Sequence, residues 1–346
     1  MVTGRISGIA SVFPPALDQQ DAWDGFFSSH FSNSRLAQRV WRTAGIEQRH
    51  TAVDPRVEDL SGASTAERMR LFAELALPLA RDAVSKCLEN SNLAATDVEL
   101  LTVASCTGYL TPGLDILVAR DLSMSPSVQR LHIGHMGCYA ALPALSTLAD
   151  AACARNKVGV MVCVELTSLH LQSATDDIEQ IVAHALFSDA AAAAAIVPDG
   201  RGLEVVDIVA RTDTSTADLM SWEVTDHGFR MRLSPKVPNV LDRHVLAMTT
   251  ELLDAHHLTI ADIDHWAIHP GGPKIVATVA QRLGLTDNQV TASTDTLRRH
   301  GNCSSATLLV VLEEIINRER PQQGQHIVAM AFGPGLTLYG ALLRVR

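Results

Sequence analysis

The chain has 346 residues, 47% of them hydrophobic and 19% charged, which excludes a disordered chain and allows a large buried core. A formal net charge of −10 argues against a nucleic-acid partner, because such proteins carry clustered positive charge. Six cysteines are scattered without a C-x-x-C pair, and no run reaches the roughly 18 apolar residues of a membrane span, so we expect a cytoplasmic protein with reduced thiols and no membrane partner.

The first part of the chain alternates helical and strand patterns. Apolar residues recur every three or four positions from Leu71 to Asn90, which predicts a helix. The β-branched runs Asp97–Cys106 and Val158–Glu165 predict buried strands, and the Ala- and Leu-rich segment Cys138–Arg155 between them predicts a second helix. This alternation predicts α/β layering.

A turn cluster divides the chain into two candidate halves. The buried segment Asp189–Val197 is followed by Pro198–Gly202, which predicts a boundary between residues 1–200 and 201–346. In the second half, Ile263–His269 predicts a strand that ends at a histidine. Ala306–Arg318 predicts an apolar helix, and Gln325–Leu336 predicts a strand running into a glycine turn.

Gly137 and Cys138 stand at the start of a predicted helix. Free backbone N–H groups and the helix dipole at such a position lower the pKa of a thiol, which is what a nucleophilic cysteine requires. A buried structural cysteine is the alternative interpretation of Cys138 taken alone.

Two further segments carry polar groups at predicted turns. In His269-Pro-Gly-Gly-Pro273, the histidine stands at a sharp turn, where it could hold a thiolate as an ion pair. In Gly301-Asn302, the side-chain NH2 group could donate to a developing oxyanion. Each segment alone is also an ordinary turn, but with Cys138 they form a Cys/His/Asn set.

A metal site formed by His132, His135 and Cys138 is a competing interpretation. All three are ligand types, but their segment is predicted to be strand and turn, and no fourth ligand is evident. We therefore expect no metal.

Five motifs in this order resemble the chalcone synthase family, the type III polyketide synthases. They are Gly137-Cys138, Ala185-Leu-Phe-Ser-Asp189, His269-Pro-Gly-Gly-Pro273, Gly301-Asn-Cys-Ser-Ser305 and Ala331-Phe-Gly-Pro-Gly-Leu-Thr337. The resemblance implies an α/β thiolase-like fold, in which two similar βαβαβαββ halves form a five-layered αβαβα architecture. The first half would carry Cys138, and the second His269 and Asn302.

The resemblance also implies a reaction. Cys138 would take an acyl starter from acyl-CoA, and His269 and Asn302 would hold malonyl-CoA while it loses CO2. The extended chain would then cyclise to a pyrone, resorcinol, phloroglucinol or naphthalene-type product. The implied substrates are CoA thioesters, no metal or redox cofactor is needed, and the implied assembly is a homodimer.

Further positions match the substrate pocket of the family. The implied substrate-binding residues are Phe187, Met231, Cys106, His170, Trp222, Thr111, Ser304 and Gly333. Phe187 would be the gate between CoA tunnel and cavity, Met231 a second and softer gate, and Thr111 a residue lent across the dimer. Trp222 stands where plant members have a glycine, so it would shorten or redirect the cavity.

The implied CoA-binding residues are Arg39, Gly271 and Lys274. The family's basic cluster for the CoA phosphates is reduced to Arg39 here, so an acyl-carrier-protein donor stays open. Two other functions also remain open. A single-step ketoacyl-ACP synthase of the initiating type uses the same three residue types, although its histidine segment usually reads His-Gln-Ala-Asn. A non-condensing acyl-thioester transferase or binder is the third possibility.

Overall fold

A computed structural model describes residues 4–346. The strands are β1 (Arg5–Val12), β2 (Ala16–Asp18), β3 (Gln48–His50), β4 (Leu100–Ala104), β5 (Gln129–Ile133), β6 (Gly159–Glu165), β7 (Ala190–Val197), β8 (Leu203–Thr212), β9 (Met220–Thr225), β10 (Gly228–Leu233), β11 (His265–Ile268), β12 (His326–Gly333) and β13 (Thr337–Val345). The helices are α1 (Gln19–Ala22), α2 (Ser28–His30), α3 (Arg35–Arg42), α4 (Thr65–Ser91), α5 (Leu114–Asp121), α6 (Ala141–Arg155), α7 (Ile178–Leu186), α8 (Val237–Asp254), α9 (Pro273–Leu283), α10 (Thr291–His300) and α11 (Thr307–Glu314). None of the helices in this part of the chain is long and apolar enough to cross a membrane.

Nine strands form one mixed sheet in the order β11-β12-β13-β8-β1-β7-β6-β4-β5. Strands β1 and β8 join its two halves through only two residue pairs, Arg5 with Glu204 and Ile6 with Leu203. Beyond those pairs the strands diverge, and β1 continues beside β7 alone. The sheet therefore opens into two wings that can enclose a layer of helices.

Alternate residues of the long strands face different helix layers, as the period of two in a strand requires. In β12, Ile327 and Ala329 pack with α6 and α11, whereas Val328 and Met330 pack with α8 and α9. Strand β6 likewise contacts α6 on one face and α4 on the other. The order from one surface to the other is α4 and α5, a sheet wing, α6 and α11, the second wing, then α8 and α9. This is the five-layered αβαβα arrangement expected from the sequence.

The two wings differ in one detail. The first contains five strands, β1, β4, β5, β6 and β7, and the second contains four, β8, β11, β12 and β13. Between α9 and α11, where a further strand would complete the repeat, residues Asp287–Val290 form a short 3-10 helix that leads into α10. Thr286 and Gln289 form a capping box there, so the local sequence specifies a helix start.

Candidate active site

Cys138 follows a tight turn at the beginning of the middle helix layer. Gly137 has φ +66°, and a Cβ added there would lie 3.0 Å from Cδ of Pro334, so the turn requires glycine. Residues Gly137–Tyr139 form one 3-10 turn before α6 begins. The Cys138 side chain is buried, and its sulfur lies 3.8 Å from Oγ of Ser304.

His269 directly follows β11. Its backbone N–H donates to the carbonyl of Met330 at 2.8 Å, which continues the parallel pairing of β11 with β12. The imidazole is 1% exposed, and neither ring nitrogen has a hydrogen-bond partner within residues 4–346. Buried polar groups rarely remain unpaired, so this ring is available to a ligand.

Asn302 is held through its backbone and through its own side-chain oxygen. Its N–H donates to the carbonyl of Leu186, and its carbonyl accepts from the N–H of Ser188, both at 2.9 Å. The side-chain Oδ1 accepts from the N–H of Ser304 at 2.9 Å. The amide orientation is therefore fixed, and its NH2 group makes a long 3.4 Å contact to the carbonyl of Gly271 and a side-chain hydrogen bond to Cys138.

These three side chains line one cavity of about 320 Å³. Most of its wall is apolar. Of the other residues predicted from the sequence, the cavity is lined by Phe187, Met231, Gly271 and Lys274. Val40, Val182 and Leu233 add apolar surface that the sequence did not point to. A cysteine, a histidine and an asparagine from distant parts of the chain thus meet in a largely dry space.

Burial dominates the protonation of the cavity residues. It raises the pKa of the Cys138 thiol to about 12, although hydrogen bonds with the Ser304 side chain, the backbone and the Asn302 side chain act in the opposite direction. It lowers the pKa of His269 to about 3. The helix end was expected to lower the pKa of Cys138, but burial outweighs that effect. An imidazolium–thiolate pair carries no net charge, so burial opposes the pair less than it opposes either charge alone.

Behind the cysteine lies a packed group that we call the Trp222 cluster, formed by Cys106, His170, Trp222 and Phe229. The indole N–H of Trp222 donates to the Cys106 sulfur at 3.3 Å. His170 stacks on Phe229 with ring centroids 4.4 Å apart. None of the four lines the main cavity. Ser304 lies between cluster and cavity, since its Oγ is 3.6 Å from the Cys106 sulfur.

His170 uses both ring nitrogens within the protein. Nε2 is 2.7 Å from the carbonyl of Thr107, which can only accept, so Nε2 carries the proton. Nδ1 then accepts from the N–H of Phe229 at 3.0 Å. Burial lowers the pKa of His170 to about 4, so the ring is neutral at pH 7. It lines a smaller cavity of about 70 Å³ together with Trp222 and Phe229.

The remaining predicted residues lie outside the cavity wall. Gly333 is buried against Tyr139, beside the cysteine turn. Thr111 is exposed in the loop before α5, away from the cavity of its own chain. Arg39 is exposed on α3, one position before the cavity residue Val40.

Glu165 is a buried acid that sequence reasoning did not single out. It ends β6 and accepts hydrogen bonds from Ser305 Oγ at 2.5 Å, Thr107 Oγ1 at 2.8 Å and the N–H of Cys106 at 3.1 Å. Burial raises its pKa. It ties the loop after β4 to the loop after Asn302. A charged residue closing the otherwise apolar run Val158–Glu165 was the available signal.

Arg49 was also missed. Its guanidinium is buried and donates to the carbonyls of His184, Ala185 and Phe187 at the end of α7, at distances of 2.6 to 3.2 Å. It fixes the helix end that carries Phe187. Nothing in the local sequence distinguishes Arg49 from a surface arginine.

Within residues 4–346, no group of three His, Cys, Asp or Glu side chains is placed to hold a metal ion. The five-layered fold and the cavity shared by Cys138, His269 and Asn302 indicate the class of thiolase-fold acyltransferases. Comparison with known proteins gives the family within that class. Residues 9–200 match the family "Chalcone and stilbene synthases, N-terminal domain", and residues 207–346 match the corresponding C-terminal domain. The chain belongs to the chalcone and stilbene synthase family and is a type III polyketide synthase, which uses CoA thioesters and needs no further cofactor.

Relatives and solved structures agree with this assignment. "Alpha-pyrone synthesis polyketide synthase-like Pks18" of Mycobacterium tuberculosis is 35% identical, covering 98% of this chain and 91% of that protein. "1,3,6,8-tetrahydroxynaphthalene synthase" of Streptomyces peucetius is 33% identical, with coverages of 89% and 83%. The crystal structure of PKS-I from the brown alga Ectocarpus siliculosus has a TM-score of 0.94 at 28% identity, covering 100% of this chain and 99% of that one. The thiolase-like fold expected from the sequence is confirmed.

Proposed function

We propose that this enzyme extends an acyl starter bound to Cys138 by repeated decarboxylative condensation with malonyl-CoA and then cyclises the chain. The observation that carries the proposal is the single apolar cavity into which Cys138, His269 and Asn302 all project. In this mechanism, residues 1–200 supply the nucleophile, and residues 201–346 supply the two groups that stabilise charge.

Loading begins with proton transfer from Cys138 to His269. The thiolate attacks the thioester carbonyl of acyl-CoA, the carbon–sulfur bond to CoA breaks, and the imidazolium returns its proton to the departing CoA sulfur. His269 suits this role because neither ring nitrogen is occupied by another residue within residues 4–346. The acyl group remains on Cys138 as a thioester.

Extension begins when malonyl-CoA loses CO2 to form an enolate. The NH2 group of Asn302 and an N–H of His269 donate to the thioester oxygen as negative charge develops on it. The enolate carbon attacks the acyl-Cys138 carbonyl, the new carbon–carbon bond forms, and the cysteine sulfur leaves. The fixed amide of Asn302 supports this role, because a preorganised donor needs no rearrangement during reaction.

The cavity shape supports short starters or few extensions. Behind the main cavity, Trp222, His170 and Phe229 of the Trp222 cluster line only a small space. Phe187 and Met231 line the main cavity and also a smaller one of about 70 Å³ behind it, so their movement could join the two spaces. The relatives are named for pyrone, tetrahydroxynaphthalene and dihydroxyphenylacetyl-CoA synthesis. A pyrone, resorcinol, phloroglucinol or naphthalene-type product is proposed accordingly.

Lys274 and Gly271 are proposed to contact CoA, because both line the cavity. Arg39 is proposed as a phosphate contact beside the cavity residue Val40 on α3. An acyl-carrier-protein donor is the alternative, although Arg35 and Arg42 are also exposed on α3. A test with acyl-CoA and acyl-carrier-protein donors of the same chain length separates the two.

A homodimer is proposed through the β5 edge of the sheet. The side chains of this edge strand are largely exposed, and Leu131 on it, Ile116 on α5 and Tyr109 before α5 add exposed apolar surface. An unpaired strand edge with apolar side chains favours pairing with a second copy. Thr111 lies in the same loop region, where a residue lent to the partner would stand. A reducing, cytoplasmic location is also proposed, since none of the six cysteines forms a disulfide.

The experiment uses purified enzyme with malonyl-CoA and acyl-CoA starters from acetyl to long-chain, and reads products by mass. Products that gain several C2 units with wild type, and none with Cys138→Ala, are expected. A single C2 addition would indicate the one-step synthase instead. No product and no CO2 with any donor would indicate the non-condensing function.

A further inference from the structure

Two histidines outside the cavity are joined side chain to side chain next to Asn302. His50 ends β3, and His300 ends α10, two residues before Asn302. Nε2 of His50 lies 2.9 Å from Nδ1 of His300. The ring of Phe13 stacks on both, with centroids 4.5 Å from His50 and 4.4 Å from His300. Three rings from three distant parts of the chain thus form one packed unit.

The protons of this pair have one arrangement when both rings are neutral. Nδ1 of His50 lies 3.0 Å from the carbonyl of Pro14, which only accepts, so His50 carries its proton on Nδ1. Nε2 of His50 must then accept, and Nδ1 of His300 must donate. Burial lowers the pKa of both rings, and that of His300 falls to about 4, so both are neutral at pH 7. The hydrogen bond has a fixed direction from His300 to His50.

His50 reaches Asn302 by a second path through its backbone. Its N–H donates to Oγ of Ser188 at 2.7 Å, and its carbonyl accepts from the N–H of Asp189 at 3.0 Å. Ser188 in turn donates its own N–H to the carbonyl of Asn302 at 2.9 Å. The contacts close a ring from His50 through Ser188, Asn302 and His300 back to His50.

The link between His300 and Asn302 is short and conformationally restricted. Gly301 between them has φ +69°, and a Cβ there would lie 2.8 Å from Cβ of Ser188. Gly301 is packed closely against Ser188 and has little room to move. A shift of the end of α10 would therefore move Asn302 as well. Where the His300 ring is held, the Asn302 amide is held as well.

We propose that His50 and His300 are positioning residues that aim the Asn302 NH2 group into the cavity through this ring of contacts. The inference rests on the proposed role of Asn302 in malonyl-CoA decarboxylation. Neither histidine lines the main cavity, although His50 lines the smaller one, so the contact from the pair to the proposed reaction centre runs through Asn302. Loading of Cys138 uses Cys138 and His269 in the proposed mechanism, so it should depend on the pair far less than decarboxylation does.

The test compares two rates in the full-length enzyme: CO2 release from malonyl-CoA without a starter, and acylation of Cys138 by acyl-CoA measured by protein mass. His300→Leu, which removes the donor, should lower CO2 release about 10- to 100-fold with little change in KM, because small misplacements of a catalytic group cost rates of this order. Acylation should stay within about twofold of wild type. His300→Asn, which keeps an N–H donor near the place of Nδ1, should restore most of the CO2 release.

His256→Asn is the matched control, since His256 is paired with Asp207 at 2.9 Å, outside the cavity wall. Both rates should be unchanged in it. If His300→Leu does not fold, Phe13→Leu serves instead, because it uncovers both imidazoles and should give a smaller, equally selective loss. Equal losses of both rates, or no loss of CO2 release in a folded variant, would overturn the proposal.

A spectroscopic readout separates this proposal from the proposed function. The side-chain NH2 resonances of Asn302, identified by their absence in Asn302→Leu, should shift in His300→Leu and return in His300→Asn. This measurement needs no turnover. Wild-type protein that releases no CO2 would count against the proposed function, whereas unmoved Asn302 resonances would count against the positioning role.

Discussion

The indole N–H of Trp222 donates to the sulfur of Cys106 at 3.3 Å, and this contact closes the space behind the cysteine that we propose as the nucleophile. Ser304 touches both cysteine sulfurs, at 3.6 Å for Cys106 and 3.8 Å for Cys138. A single hydroxyl therefore separates the Trp222 cluster from the proposed reaction centre. The size of the side chain at position 222 should set how far a growing chain can extend.

Trp222→Gly is expected to open this space and shift products toward longer starters or additional C2 units. The same substitution should destabilise the fold by about 2 kcal/mol, because it leaves a cavity in a partly buried region. Product masses from one starter panel measure the shift. Trp222→Phe, which keeps most of the volume, is the control and should retain the wild-type products. Identical products from Trp222→Gly and wild type would contradict the prediction.

The reactivity of Cys138 toward iodoacetamide should depend on His269. In wild type, His269 can accept the thiol proton as the reagent attacks, so alkylation at pH 7 should be at least about tenfold faster than in His269→Ala. In His269→Ala, the thiol has no proton acceptor, and burial holds its pKa at about 12. Below that pKa the thiol stays protonated, so alkylation should be slow at pH 7 and rise about tenfold per pH unit. A peptide-resolved mass assay distinguishes Cys138 from the exposed Cys153. A flat profile in His269→Ala would exclude this role.

Asn302→Asp keeps the shape of the side chain but loses the NH2 donor. CO2 release from malonyl-CoA should fall by about 10²- to 10³-fold, as with the loss of one oxyanion donor elsewhere. Acylation of Cys138 should continue, because that step uses Cys138 and His269. Isotope-labelled malonyl-CoA and intact-protein mass report the two steps separately. Loss of acylation in a folded Asn302→Asp protein would show that the division of roles is incorrect.

Glu165→Gln tests the buried hub that links the loops after β4 and around Ser305. The amide NH2 group of glutamine must face at least one of the donors that now point at the carboxylate. One buried donor is then left unpaired, which should cost about 1 to 3 kcal/mol of unfolding free energy. Chemical denaturation measures it. Glu223→Gln, on the exposed side of β9, is the control and should change stability by less than about 0.5 kcal/mol.

Leu131→Asp should dissociate the proposed dimer, because it places a charge on the exposed apolar edge of β5. Light scattering after gel filtration should then give half the wild-type mass. Thr111→Arg should weaken both assembly and activity, since Thr111 lies near this edge. Val224→Asp, at an exposed apolar position on β9, is the matched control and should leave the mass unchanged. A wild-type monomer with full activity would refute the dimer proposal.

Local sequence patterns were sufficient for much of the fold. The apolar run in Gln325–Leu336 and the helical period after Leu71 reflect which residues are buried, and burial is what the five layers impose. The turn motifs around Cys138, His269 and Asn302 could also be recognised in the sequence, because each turn needs glycine or proline at fixed positions. These features depend on neighbours in the chain.

Contacts between side chains from distant segments could not be predicted from the sequence. His50 and His300 are 250 positions apart, and nothing local to either indicates that they share a hydrogen bond. The sequence matched His170 to a pocket position, but its place on the wall of the smaller cavity depends on bonds to Thr107 and Phe229. The helix end and burial have opposite effects on the pKa of Cys138. Which effect is larger depends on the folded protein and cannot be read from Gly137-Cys138 alone.

The two sheet wings are joined by only two residue pairs between β1 and β8, while the proposed nucleophile and its proposed partners lie on opposite sides of that join. The cavity therefore resembles a site formed between two proteins, although both halves belong to one polypeptide. Its geometry is set by how α6 and α11 pack between the two wings, as subunit contacts set a shared site in an oligomer. Substitutions at buried positions of these two helices, away from the substrate, should therefore change turnover without altering any reacting group.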